Sequence, residues 1–100
     1  MGKVHLSGWL EVPADRLDAV KAALPEHIAL TRAEPGCLAF SVLQAAGQPT
    51  RFDVAETFAD ETAFARHQQR AQASAWARVT LGMPRHCKVT IEAEPAAPID

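Results

Sequence analysis

Glu56 and His67 are the residues of this chain whose types are best suited to moving a proton. Glu56 lies in the run Phe52-Asp53-Val54-Ala55-Glu56-Thr57-Phe58, in register with three apolar residues. A carboxylate on an apolar face loses hydration, so it needs a partner or takes up a proton. His67 is the natural partner, because it follows Phe64 by three residues on the edge of a helical apolar stripe. A carboxylate that holds one imidazole nitrogen fixes the tautomer and leaves the other nitrogen free as a base. Plainer readings stand beside this one. Glu56 could reach the end of its strand and bond an arginine or a backbone amide, and His67 could be a satisfied core or rim residue.

Gly8 bears on whether there is room for a ligand. A glycine inside a strand weakens it unless backbone or ligand must approach closely. Its place in the apolar row Val4, Leu6, Gly8, Leu10 leaves space under the helices, though a bulge or a large neighbour would explain it equally. Trp76 follows His67 by nine residues, which at about 100° per residue puts it on the far side of a continuous helix. The two share a pocket only if the helix breaks near Ser74. His5, His27 and His86 read as surface or interface residues, and Arg66 with Arg70 as a solvated helix face.

Other chemistries lack their motifs. There is no GxGxxG or GxxxxGK[ST] for phosphate binding, and no GxSxG around Ser7, Ser41 or Ser74. No His, Cys or carboxylate pair has tight metal-ligand spacing. Tyr and Asn are absent.

These residues must be positioned by regular elements. Val4, Leu6, Gly8, Leu10 and Val12 alternate with polar neighbours, which predicts strand 1, ended by Pro13. Asp15 can cap helix 1, whose stripe is Leu17, Val20, Leu24 and Ile28, with a bend or restart expected at Pro25. Glu34-Pro35-Gly36 reads as stop and turn. Strand 2 runs from Cys37 to about Gln44 and strand 3 from Arg51 to about Ala59, joined as a hairpin by Gly47-Gln48-Pro49. Asp60 caps helix 2, expected to run to about Ala77, and Arg85 to Glu94 is strand 4. The domain is expected over residues 1–94, with 95–100 a loose tail.

The order βαββαβ is an α+β, ferredoxin-like arrangement. Right-handed crossovers put both helices on one face of a four-stranded antiparallel sheet, in strand order 4-1-3-2. The other face, with His5, Ser7, Trp9 and Glu11, is left bare and predicts a homodimer with Trp9 at the interface. Composition agrees, because 20 of the 48 apolar residues are Ala and the monomer's core is modest. A net charge of −2 argues against nucleic-acid or membrane-surface binding, and no apolar run is long enough to span a bilayer. The start of the chain lacks the regions of a secretory signal, so the expected address is the cytoplasm. Cys37 and Cys87 fall on opposite sheet edges in this topology and should not form an internal disulfide.

The segment from His27 to Phe40, with its Glu34-Pro35-Gly36-Cys37 turn, resembles the antibiotic biosynthesis monooxygenase family. So does Phe52 to Phe58 followed by Asp60, Phe64, His67, Ser74 and Trp76, and the likeness extends over about residues 3 to 93. The resemblance implies a ferredoxin-like domain paired into a dimeric α/β barrel. It implies oxidation of a small electron-rich phenol, quinol or anthrone to a quinone by O2, without flavin, haem or metal. It casts His67 as base or hydrogen-bond donor and Glu56 as its orienter, with a ring site at Gly8, Leu6, Phe40 and Phe64. The haem-degrading branch, which uses an Asn on strand 1, is not matched. The alternative is a small-molecule-binding or stress-response barrel without catalysis, whose pocket would be filled by side chains.

Overall fold

The computed structural model describes residues 2–93. Strands β1 (Val4–Glu11), β2 (Cys37–Ala45), β3 (Gln48–Phe58) and β4 (Arg85–Ile91) form one antiparallel sheet in the order β2-β3-β1-β4. Helices α1 (Leu17–Arg32), α2 (Glu61–Gln72) and α3 (Ala75–Val79) complete an α+β, ferredoxin-like fold. The expected loose tail, 95–100, lies outside the described residues.

Period-two alternation sets the register. Val4 pairs with Phe58, Leu6 with Glu56, Gly8 with Val54 and Leu10 with Phe52. Val4, Leu10, Phe52 and Phe58 are almost fully buried, while none of His5, Ser7, Trp9 and Glu11 on the other face is. Each buried Leu, Val or Phe contributes about 1.5–3 kcal/mol relative to exposure, so a one-residue slip of β1 against β3 would forfeit several such terms. Cys37 and Cys87 are free thiols on the two edge strands. Among the described residues no helix is long and apolar enough to cross a membrane.

Three local expectations need correction. Helix α1 does not restart at Pro25 but runs unbroken from Leu17 to Arg32. The backbone bond that Pro25 removes belongs to the carbonyl of Lys21, and both residues are exposed, so water replaces the lost donor. Asp15 is not the cap. A short 3₁₀ turn, Ala14–Arg16, precedes α1, and Arg16 stands at the cap position without a side-chain bond.

The third correction matters most for function. Helix 2 was expected to continue to about Ala77, but α2 ends at Gln72 and α3 starts at Ala75. Asp60 caps α2, its carboxylate accepting from the Ala63 amide at 2.8 Å. Ser74 does the same for α3, accepting from the Ala77 amide at 3.4 Å with extended backbone angles. A serine hydroxyl competes for backbone amides and so favours a fresh start over continuation. The break redirects Trp76 into the core, where it is 6% exposed.

Candidate active site

A cavity of about 400 Å³ lies between the sheet and the helices. Small-molecule sites are typically about 300–1,000 Å³, mostly apolar with a few polar groups. Leu6 and Leu10 from β1, Phe40 and Val42 from β2, and Val54 from β3 supply apolar wall. Glu56 from β3, His27 from α1, His67 and Gln68 from α2, Trp76 from α3 and Arg85 from β4 supply polar atoms.

Four of the residues singled out from sequence therefore meet at one place: Glu56, His67, Leu6 and Phe40. Two others do not line it. Phe64 packs against Phe58, ring centroids 5.6 Å apart. Gly8 serves strand pairing: a Cβ there would come within 2.0 Å of the His86 carbonyl oxygen on β4. The close approach that a strand glycine signals is by backbone here, not by a ligand.

The pairing of Glu56 with His67 also needs correction. His67 is 5% exposed and its Nδ1 is bonded to Glu34, at 2.8 Å from Oε1 and 3.0 Å from Oε2. Its Nε2 stands 3.7 Å from Glu56 Oε1, close enough for charge to be felt but too far for a hydrogen bond. The carboxylate that orients the ring is thus Glu34, which the sequence presents only as part of a turn. Arg70 supports it, donating from Nε to Glu34 Oε2 at 3.1 Å and from Nη2 to Thr31 Oγ1 at 2.9 Å. Arg70, half-buried, is therefore a tertiary anchor and not merely part of a solvated face.

Glu56 Oε1 has no hydrogen-bond partner. Burial pushes the Glu56 carboxyl up from 4.5 to about 7; the positive charge of Arg85 opposes the rise and the negative charge of Glu34 adds to it. The site therefore holds a carboxyl that exchanges its proton near neutral pH, the range that acid–base catalysis needs.

His27, expected at the surface, is buried at 5% exposure and stacks on Trp76, centroids 4.8 Å apart and planes within 7°. Its pKa is lowered from 6.5 to about 4, by burial first and then by the Arg70 guanidinium, the neighbouring His67 ring and the Arg85 guanidinium. It is neutral at pH 7, and its Nδ1 has no partner. Unsatisfied buried polar atoms are rare in folded proteins. Among the described residues the two such side-chain atoms both belong to residues that line one cavity, so this unmet hydrogen-bonding capacity lies around the space a ligand would fill.

Sequence reasoning missed Glu34, His27, Arg70 and Trp76. A signal existed for two of them. Val20, Leu24, His27, Thr31 and Glu34 follow helical spacing, so three polar residues continue an apolar stripe.

A family model described as antibiotic biosynthesis monooxygenase matches residues 4–79. That segment holds Glu34, Glu56, His67 and Trp76. A Nitrosomonas europaea structure assigned to the antibiotic biosynthesis monooxygenases is 25% identical, with a TM-score of 0.73 over 97% of each chain. A second Nitrosomonas europaea structure, of unknown function, is 26% identical with a TM-score of 0.71, covering 100% of this chain and 98% of that one. A Bacteroides thetaiotaomicron protein of unknown function has a TM-score of 0.79 at 16% identity, over 91% of this chain and 98% of that one, a likeness of fold alone. No curated protein matches. The family match runs from β1 through α3, which supply most of the cavity's wall, and on it the chain belongs to the antibiotic biosynthesis monooxygenase family.

Proposed function

We propose that this protein is a cofactor-independent monooxygenase that oxidises a small electron-rich phenol, quinol or anthrone to a quinone with O2. What supports the reading is that Glu56 and His67 reach one apolar cavity with a gap of 3.7 Å between Nε2 and Oε1. The gap leaves both atoms free to accept a hydrogen bond from a substrate hydroxyl set beside them. Removing that proton gives an electron-rich anion. The anion passes one electron to O2, and the radical pair joins to form a carbon–oxygen bond and a peroxide. Loss of water turns the peroxide carbon into a carbonyl: a ring CH2 and one O2 give one C=O and one H2O, and a ring CH, its ortho or para phenolic C–OH and one O2 give the two C=O groups of the quinone and one H2O. The substrate anion is itself the reductant, and the scheme needs no flavin, haem or metal. Leu6, Leu10, Phe40 and Val54 exclude water from the ring and admit apolar O2.

The test is oxygen uptake with a panel of quinols and anthrones, chelator present. One O2 consumed per quinone formed is the expected result. Binding of these ligands without uptake would reduce the protein to a small-molecule binder.

The same reading pairs two copies through the bare sheet face. Trp9 is the aromatic centre of that face, with the Arg51 guanidinium 4.3 Å over its ring and His86 stacked at 4.8 Å. Sedimentation at micromolar concentration should report a dimer, and a stable monomer would refute the pairing.

A further inference from the structure

We propose that Glu34 is a positioning residue, whose carboxylate locks the His67 ring with Nδ1 protonated and the Nε2 lone pair turned to Glu56 and the cavity. This rests on the reading of His67 as a proton acceptor. The geometry carries it. Both Glu34 oxygens are within hydrogen-bond distance of Nδ1, at 2.8 and 3.0 Å. An ionised carboxylate can only accept, so the nitrogen facing it must carry the hydrogen. A neutral imidazole has one N–H, which leaves Nε2 as the acceptor. Nε2 is the nitrogen near Glu56, on the residue pair that lines the cavity.

Glu34 is itself held. The α1–β2 turn brings it over α2, where Arg70 donates to its Oε2 at 3.1 Å. Arg70 is fixed in turn by Thr31, which is fully buried in the last part of α1. Two helices and a turn thus converge on one imidazole nitrogen. Glu34 does not line the cavity, so it acts on the reaction through His67 and not by touching substrate. A proton taken onto Nε2 would sit on an imidazolium between two carboxyl groups, which stabilises the charge that forms during the transfer.

The test reads the tautomer directly. In protein carrying ¹⁵N-histidine, long-range proton–nitrogen correlations distinguish Nδ1–H from Nε2–H, and a His67→Gln sample assigns the signal among the four histidines. Wild type should show His67 as Nδ1–H. Glu34→Ala should move it toward Nε2–H, the form that an unconstrained imidazole side chain prefers, and Glu34→Asp should restore part of the wild-type signal. With a quinol that wild type oxidises, Glu34→Ala should lower kcat about a hundredfold, the scale seen when a supporting carboxylate is lost, and leave KM within about twofold. A general loss of structure would move KM as well.

An Nε2–H tautomer in wild type overturns the proposal without any variant, which covers the case that Glu34→Ala does not fold. So does a Glu34→Ala protein that keeps Nδ1–H, or one that keeps wild-type kcat. A wild type with the Nδ1–H signal but no oxygen uptake would remove the oxygenase reading and leave the lock standing.

Discussion

His67→Ala turns over its quinol about 10²- to 10⁴-fold more slowly than wild type, the usual worth of a general base. The ring is the one imidazole in the cavity that is both held and free: Nδ1 is bonded to Glu34, and Nε2 is left open beside Glu56. His27 is held by stacking on Trp76, and burial with the nearby guanidinium groups of Arg70 and Arg85 suppresses its proton affinity. It is a poor acceptor for a substrate proton. Alanine at position 67 also leaves two carboxyl groups facing an emptied space among Phe40 and Phe58, so some stability is lost with the base. His67→Gln separates the effects. Its amide N–H can still donate to Glu34, while its basicity is gone. Both variants should therefore show the same large fall in kcat, with His67→Gln closer to wild type in thermal stability. Normal turnover by folded His67→Gln would confine His67 to a binding role.

The fold was legible because its signals are local and periodic. Alternation in β1 and β3 determines which residues face the helices, and the pairing of Leu6 with Glu56 follows from it. The site was legible in part, because the same alternation puts a carboxylate where only apolar residues belong. Its partner was not, since Glu34 and His67 are 33 residues apart and meet only when the turn after α1 folds over α2. Periodicity cannot report such a contact. Trp76 was misplaced for a different reason. A 100° wheel assumes an unbroken helix, and Ser74 reads equally as a mid-helix residue or as a cap until packing decides. Pro25 shows the converse: a strong breaker was overridden because the lost hydrogen bond faces water while Val20, Leu24 and Ile28 pack inward.

Glu56→Gln should make the protein more stable at pH 8 while slowing its chemistry. In the unfolded chain Glu56 ionises near 4.5, and in the folded protein only near 7. Below 4.5 it is protonated in both states and pH has no leverage through it. Between 4.5 and 7 the unfolded chain gives up the proton and the folded one keeps it, so stability falls as pH rises. Above 7 both are ionised and the loss is complete. At about 1.4 kcal/mol per pKa unit, the rise amounts to roughly 3 kcal/mol. Glutamine has the same shape and no charge to bury. The variant should therefore match wild type near pH 4.5 and melt roughly 12–24 °C higher at pH 8, taking about 4–8 °C per kcal/mol for a domain of this size. His27 pulls the other way, because its lowered pKa removes stability as pH falls from 6.5 through about 4. That term is common to both proteins and cancels in the difference, so the comparison isolates Glu56. Turnover should fall less than in His67→Ala, and the rise in rate through about pH 7 expected of wild type as Glu56 ionises should vanish. Melting curves that stay parallel from pH 4.5 to 8 would mean that Glu56 carries no buried charge, and with it would go the reason to place a substrate hydroxyl beside it.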